Sequence, residues 1–417
     1  MASAPDRRMT PARTLVFAIA AGLAVGNLYW AQPLIEIIAA SLDVSSSSAA
    51  TLVTVTQIGY ALGIFLLVPL GDVLDRRRLV PLVLTLSGVT LLGAALAPTF
   101  PVLLALLGSV GLTAVGAQIL APLAGELAEP ERRGRVVGTV ASGVLIGVLL
   151  SRTLSGFVAD LLGWRAIFVI AAAATLLLAA VLRKVIPHLD AREPVPYLRL
   201  LGSVCTTVAR HRAAPPTLAI CAASFAVFSL FWTSLTYLLT AEPFSYSAGQ
   251  IGLLGLAGVA GALAARRAGA LHDRGWSAPA TGIALAVLAL SLVAGSAVGT
   301  SIIALVVVVI VLDVAAQSVT VLGQTRLFAL PGSARSRLNT ALVVCNFLGG
   351  AIGSAAAGPL WASGGWPAVM TAASAVTLLA LVVWVFTRSK LKEAGPSAVA
   401  AAPHAEKADA EQADASR

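Results

Sequence analysis

The sequence predicts an all-α integral membrane protein, with twelve transmembrane helices forming two parallel six-helix pseudo-repeats around a central cavity. Three observations predict it. The 417 residues are 58% hydrophobic and 11% charged, with a mean hydropathy of +0.91, whereas a soluble domain is nearer half apolar and about a quarter charged. The apolar residues gather into runs long enough to cross a bilayer, which takes about 20 residues. The second half of the chain also repeats motifs of the first.

The predicted spans lie near 14–39, 48–70, 79–97, 101–128, 136–158, 166–186, 215–240, 248–266, 278–297, 300–328, 338–360 and 367–387. Hydrocarbon offers the backbone no hydrogen-bond partners, and the runs show no strand-like alternation, so each reads as a helix. The basic start "MASAPDRRMTPART" leads straight into an apolar run too long for a signal-peptide core, which reads as a cytoplasmic segment before an uncleaved first span. The predicted division is a cytoplasmic N-terminus (1–13), a first half (14–186), a cytoplasmic linker (187–213), a second half (214–387) and a disordered cytoplasmic tail (388–417). Within the linker, "PVPYLRLLGSVCTTVAR" reads as an amphipathic helix on the inner leaflet.

Orientation follows from lysine and arginine. Of the 28 basic residues, all but Arg152 and Arg165 fall in the N-terminus, the tail or the alternate connections between them. That asymmetry places both termini in the cytoplasm of a bacterial inner membrane. It also accounts for the net charge of +9 without a nucleic-acid partner, which would need a basic patch on a folded soluble face. Cys205, Cys221 and Cys345 lie far apart, with neither metal nor disulfide spacing, and read as small buried side chains.

The repeat has two parts. "GDVLDRRR" (71–78) contains G-x-x-x-D-R at Gly71, Asp75 and Arg76, and "GALHDRG" carries it again 198 positions later at Gly269, Asp273 and Arg274. Both copies join the second and third spans of a six-span set. The segment starting at Arg133 also aligns with the one starting at Arg335, pairing Gly147 with Gly349, Gly163 with Gly365 and Trp164 with Trp366. Parallel halves place a site between them near the midplane, and rocking opens it alternately to the two sides.

On these residues the chain resembles the major facilitator superfamily over essentially its whole length apart from the tails. "GDVLDRRR" matches the first half of that family's loop signature, with Arg78 and Leu79 departing from the second half. "GWRAIF" (163–168) resembles the start of its sixth span, and "NLYWAQPL" (27–34) and "ARSRLNT" (334–340) resemble bacterial drug-efflux-like members. The resemblance implies that spans 1, 4, 7 and 10 line the cavity and that the loop is a latch. Asp75 would accept from a helix N-terminus and Arg76 would reach Glu126 at the inner end of span 4. These contacts would hold an outward-open state and break when the inside opens. The alternative is that the arginines only set topology. The family's span-5 glycine-proline signature is replaced by Ser151-Arg152 and Ser155-Gly156, and Leu107 stands where span 4 often carries an arginine.

An ionisable residue inside a span points by default to function. Asp313, midway along span 10, is the first candidate for a proton or substrate-cation site; otherwise it is a structural acid bonded to polar neighbours. Arg152 in span 5 either pairs with Asp313 or snorkels towards Asp160. Asn27, Tyr29 and Gln32 in span 1 face the cavity or bond to other helices. Phe225, Phe228 and Trp232 form a stripe on span 7 that faces lipid, packs, or lines an apolar cavity. Gln118, Gln317 and Gln324 complete the cavity candidates, with Gln57 and Asn346 secondary.

The expected function is secondary active transport by alternating access, specifically proton-coupled export of small organic or amphipathic molecules by a monomer in the lipid bilayer. Uptake or facilitated diffusion of a metabolite is the alternative, and a membrane-embedded enzyme acting on lipid-linked substrates a more distant one. None of the four histidines falls inside a span, no metal-ligand spacing occurs, and there is no Walker motif for ATP. No cofactor is expected.

Overall fold

The computed structural model describes residues 9–187, 196–261, 271, 274–298, 300–330 and 332–392; Gly269 and Asp273, most of the tail and part of the linker lie outside them. No strand occurs among the described residues. The helices are α1 (Pro11–Gly26), α2 (Ile35–Ser41), α3 (Ser46–Leu67), α4 (Arg76–Leu96), α5 (Phe100–Thr113), α6 (Gly116–Leu127), α7 (Arg133–Leu162), α8 (Trp164–Val185), α9 (Tyr197–Arg210), α10 (Ala214–Thr240), α11 (Ala248–Leu254), α12 (Ser277–Ala297), α13 (Ile302–Phe328) and α14 (Gly332–Lys392). Nine stretches among the described residues are long and apolar enough to cross a membrane, and two shorter apolar helices, Pro11–Gly26 and Ala248–Gly261, stand beside them.

Two predicted spans are broken rather than continuous. Span 1 stops after α1, passes through turns and the 3₁₀ segment Gln32–Leu34, and resumes as α2, where Pro33 removes a backbone donor. Span 4 is divided between α5 and α6 at Ala114 and Val115. At the other extreme, α14 is a run of 61 residues made of two helices joined by a kink. It holds two predicted spans, separated by non-helical backbone at Gly364 and Gly365. Gly365 has φ +59° and its repeat partner Gly163, between α7 and α8, has φ +83°. Both halves therefore turn at the same place on a conformation that favours glycine.

Local chemistry fixes the helix starts. Side chains of Ser45, Asp75 and Ser301 accept from the first-turn amides of α3, α4 and α13. The outer faces are apolar: Leu82, Leu86 and Val89 are exposed along one side of α4 while Val80, Leu84 and Leu91 are buried on the other. Such a belt suits lipid rather than water. The helix predicted in the linker is α9, whose Tyr197 hydroxyl donates to the Leu66 carbonyl at 2.6 Å. One expectation there fails: Cys205 is exposed on α9 rather than buried, because it lies on the side turned away from α14.

Small residues set the packing within each half. Gly143 and Gly147 of α7 meet Ala18 and Gly22 of α1 so closely that an added Cβ would collide with backbone. Gly349 and Gly353 of α14 meet Ala222 and Ala226 of α10 in the same way. The repeat read in the sequence is thus a repeat of contacts.

The halves touch mainly through α3 with α14 and α7 with α11. On the side away from the arginine-rich loops they are sealed. The Tyr237 hydroxyl donates to Ser46 O at 2.9 Å. Asp160 Oδ2 accepts from Ser247 Oγ at 2.7 Å and from Gly249 N at 2.9 Å. Thr54 and Ser354 bond at 2.9 Å, and the Gln57 amide reaches Ser229 Oγ at 2.8 Å. An apolar cluster including Ile35, Ala49 and Val53 from the first half and Phe231, Leu235 and Ile251 from the second fills the space between these bonds. On the arginine-rich side a cleft of about 470 Å³ separates the halves, lined by Asp72, Arg76, Gln118 and Glu126 on one wall and Arg335 and Asn339 on the other.

Gly147→Val should lower thermal stability in detergent by several degrees, since nothing but backbone lies where its side chain must go and overpacking costs about 1–3 kcal/mol. Gly134→Ala, in open space on the same helix, should leave stability unchanged or raised; equal effects of the two would refute the packing account.

Candidate functional site

Between the halves lies a cavity of about 110 Å³, lined by Tyr29, Arg152, Phe228, Asp313, Gln317 and neighbouring residues. Arg152 is ten residues from the end of α7 and Asp313 eleven from the start of α13, so both sit about 15–16 Å from the sealed side by helix rise. One charge comes from each half, at one depth.

Arg152 is 4% exposed. Its Nε donates to Gln32 Oε1 at 2.9 Å. The guanidinium lies 4.6 Å from the Tyr29 ring centre, 4.8 Å from Trp232 and 5.8 Å from Phe228. Stacked rings stabilise a planar cation through their faces and leave its N–H edges free. Nη2 has no hydrogen-bond partner. Tyr29 and Gln32 are three positions apart, as neighbours on one face of a helical turn are, and both reach Arg152 from the turn region between α1 and α2.

Asp313 is 3% exposed and its Oδ1 accepts from Trp232 Nε1 at 3.0 Å. Oδ2 faces Gly258, where a Cβ would stand 3.3 Å from it. Trp232 thus joins the two charges, one by its indole N–H and the other by its face. Arg152 and Asp313 share a cavity without coming within the 4.0 Å of an ion pair. The expected pair is corrected on that point, and so is the alternative, because Arg152 is buried among rings while Asp160 is engaged by Ser247 and Gly249.

The remaining expected lining residues divide. Tyr29, Phe228 and Gln317 line the cavity, and Trp232 and Gln32 stand just behind as supports for Asp313 and Arg152. Asn27 turns away: its amide donates to Thr175 Oγ1 at 3.3 Å and its Oδ1 accepts from Trp30 at 2.8 Å, so it bonds α8 instead of the cavity. Gln324 donates to Asn339 Oδ1 at 3.3 Å and ties α13 to α14. Gln118 donates to the Tyr60 hydroxyl at 3.4 Å and lines the cleft. No residue of span 4 lines the cavity; Leu145, Val148, Leu149 and Arg152 of α7 take that wall. Leu107 is instead packed into the first half's core.

Sequence reading missed Ser224, Gly258 and Thr320 on the wall. Thr320 had a signal, since Asp313, Gln317 and Thr320 follow one helical face. Gly258 had none, because its contribution is the space beside Asp313. Arg326, counted as a loop charge, is fully buried and donates to Thr217, Ser277 and Thr281.

Three rings run from the cavity lining towards the cleft wall. Phe225 lines the cavity and lies 5.0 Å from the Phe347 ring centre, which lies 4.4 Å from Tyr60. Tyr60 in turn meets Gln118 on the cleft wall. The row is one ring from the first half against two from the second.

At the loop, Arg76 Nη1 donates to Glu126 Oε2 at 2.8 Å, Nη2 to Asp72 Oδ1 at 3.1 Å, and Nε to the Gly71 carbonyl at 2.7 Å. Asp75 accepts from Arg77 N and so caps its own helix. All of these bonds lie within the first half and are present with the cleft open. The expected contact of Arg76 with Glu126 is present. These bonds brace the cleft wall. Arg274, the described part of the second copy, is exposed.

The profile of the Major Facilitator Superfamily matches residues 17–329. The chain is 41% identical over 380 residues to the uncharacterized transporter YgaY of Escherichia coli O157:H7, covering 91% of this chain and 96% of that one. It is 34% identical over 368 residues to a Streptomyces coelicolor chain named as transporter SCO4007, covering 87% and 85%. Among solved structures, a bacterial homologue of the human lysosomal transporter Spinster, in an inward-facing and unoccupied conformation, superposes with a TM-score of 0.67 at 15% identity, over 94% of this chain and 97% of that one.

Phe347→Ala should join cleft to cavity. In a background without the native cysteines, a cysteine at Ser224 should then react severalfold faster with a small water-soluble thiol reagent. An unchanged rate would mean that the rings are not the barrier.

Proposed function

Given that the chain belongs to the major facilitator superfamily, we propose that it is a proton-coupled secondary transporter that exports small organic molecules by alternating access. Membership makes it a multi-pass membrane transporter. The finer reading is carried by one observation: a carboxyl group and a guanidinium, each buried in a span of a different half, line one cavity between the halves.

In this reading the chain crosses a bacterial inner membrane twelve times, works as a monomer and keeps its arginine-rich side in the cytoplasm, as the distribution of basic residues supports. The open cleft then makes this an inward-facing state. Rocking to the outward state must break the bonds of Asp160, Tyr237, Thr54 and Gln57 across the sealed side and close the cleft. Asp313 is the group that would take up and release the coupling proton, because it is the one acid among the described residues lining the cavity. Substrate and proton compete for it, and that competition is what couples their fluxes. The loop around Arg76 keeps the cleft wall rigid while the halves move.

Purified protein in liposomes containing a pH-sensitive dye tests the coupling. A panel of neutral, cationic, anionic and zwitterionic small molecules should include one that drives proton movement in the wild type and not in Asp313→Asn. Substrate movement without protons in either protein would leave a uniporter and overturn the coupling.

Asp160→Ala should loosen the outer seal. A cysteine placed at Thr54 should then label faster from the outside than in the parent protein, and unchanged labelling would remove Asp160 from the seal.

A further inference from the structure

We propose that the cavity binds a small zwitterion, with its carboxylate on Arg152 and its ammonium group on Asp313. This rests on the reading of the chain as a transporter whose site lies between the halves, and it names the substrate class of that site.

The first support is an unmet bond. Arg152 is buried, and its only side-chain hydrogen bond among the described residues is from Nε to Gln32. Its guanidinium carbon lies over the rings of Tyr29, Phe228 and Trp232. Rings take no N–H in a conventional hydrogen bond, and Nη2 has no acceptor. A buried donor without an acceptor is costly, and more so on a cation. A carboxylate matches the planar fork in geometry and charge. No acid among the described residues pairs with it, since Asp313 stands beyond ion-pair distance.

The second support comes from the opposite wall. Asp313 Oδ1 is held by Trp232, while Oδ2 is left beside Gly258, the one lining residue without a side chain. An acid buried opposite an unmet arginine has the converse need, a donor carrying positive charge. One ligand bearing both groups neutralises both walls. A singly charged cation leaves Arg152 buried and unpaired, and a singly charged anion leaves Asp313 to take a proton in place of a ligand group.

Size limits the class further. At about 110 Å³ the cavity is far smaller than the roughly 300–1,000 Å³ of sites for drug-sized ligands. Ser224, Gln317 and Thr320 add hydrogen-bonding groups on the cavity side. Because Arg152 belongs to α7 and Asp313 to α13, such a ligand also bridges the two halves and rewards their closure. A singly charged compound has no equivalent hold on both.

The test uses the full-length protein and three zwitterions of increasing charge separation: alanine, β-alanine and 4-aminobutyrate. N-acetylalanine supplies the anion alone and alanine methyl ester the cation alone. Binding is read by calorimetry in detergent, and transport by uptake of labelled probe into liposomes. At least one zwitterion should bind about 10- to 100-fold more tightly than either singly charged analogue, the loss expected for one charged hydrogen bond. Arg152→Gln and Asp313→Asn should each abolish that preference, and Arg152→Lys should retain part of it. The comparison of analogues needs no variant, so misfolding of the variants cannot rescue or sink the proposal.

Failure of all three zwitterions to bind at millimolar concentration, or equal binding by a singly charged analogue, overturns it. If a neutral or singly charged compound drives Asp313-dependent proton movement and no zwitterion competes, the zwitterion class falls while the transporter stands. If the zwitterions bind with the expected losses but no compound crosses the membrane, the binding site stands and the transporter reading falls.

Discussion

A charged group buried in a membrane-spanning helix must be answered by something, and most of this structure is arranged around two such groups. Arg152 is answered by three rings and one glutamine, and Asp313 by one indole N–H. Tyr29 and Gln32 reach the arginine from the turn region of the first span, Trp232 stands between the two charges, and Gly258 is bare beside the acid. Together they hold two buried charges in place, without letting those charges cancel each other, and leave each with bonding capacity to spare.

The halves contribute unequally to this arrangement while sharing one scaffold. Glycine and alanine draw α1 onto α7 and α10 onto α14 by the same contacts, so the backbones are related. The buried charges are not: the base sits on α7 of the first half and the acid on α13 of the second. The inner ends differ as well. Arg76 and Glu126 pair in the first half, whereas Arg326 in the second is held by hydroxyl groups and the Ser277 carbonyl. The repeat preserved what packs and released what binds, as expected where packing is constrained by backbone contact and binding by chemistry.

That division also governs what could be read beforehand. Helices were legible because hydrocarbon demands long apolar runs, and the halves because glycine positions recur. Arg152 and Asp313 stood out because charge in an apolar run is expensive. The Arg76–Glu126 contact lay within reach of a short motif. Partners across space were not legible. Helical spacing puts Asn27 and Tyr29, two positions apart, on opposite sides, but nothing in the sequence says which of them turns to Thr175 and which to the cavity. Span 4 was expected on the cavity wall and α7 took its place, since the deep contact of α7 with α11 brings Arg152 inward. Arg326 was hidden by its position near a span end, where arginines ordinarily reach water.

The row of rings beside the cleft has a consequence for timing. Phe225, Phe347 and Tyr60 meet edge to face and tilted. Exposed side chains turn in picoseconds to nanoseconds and domains rock in microseconds to milliseconds, but with Tyr60 1% and Phe347 9% exposed these rings turn only as fast as the packing around them allows. Under the proposed alternating access, the cavity then stands between two unlike barriers, one set by side-chain packing and the other by the bonds around Asp160 and Tyr237 that join the halves.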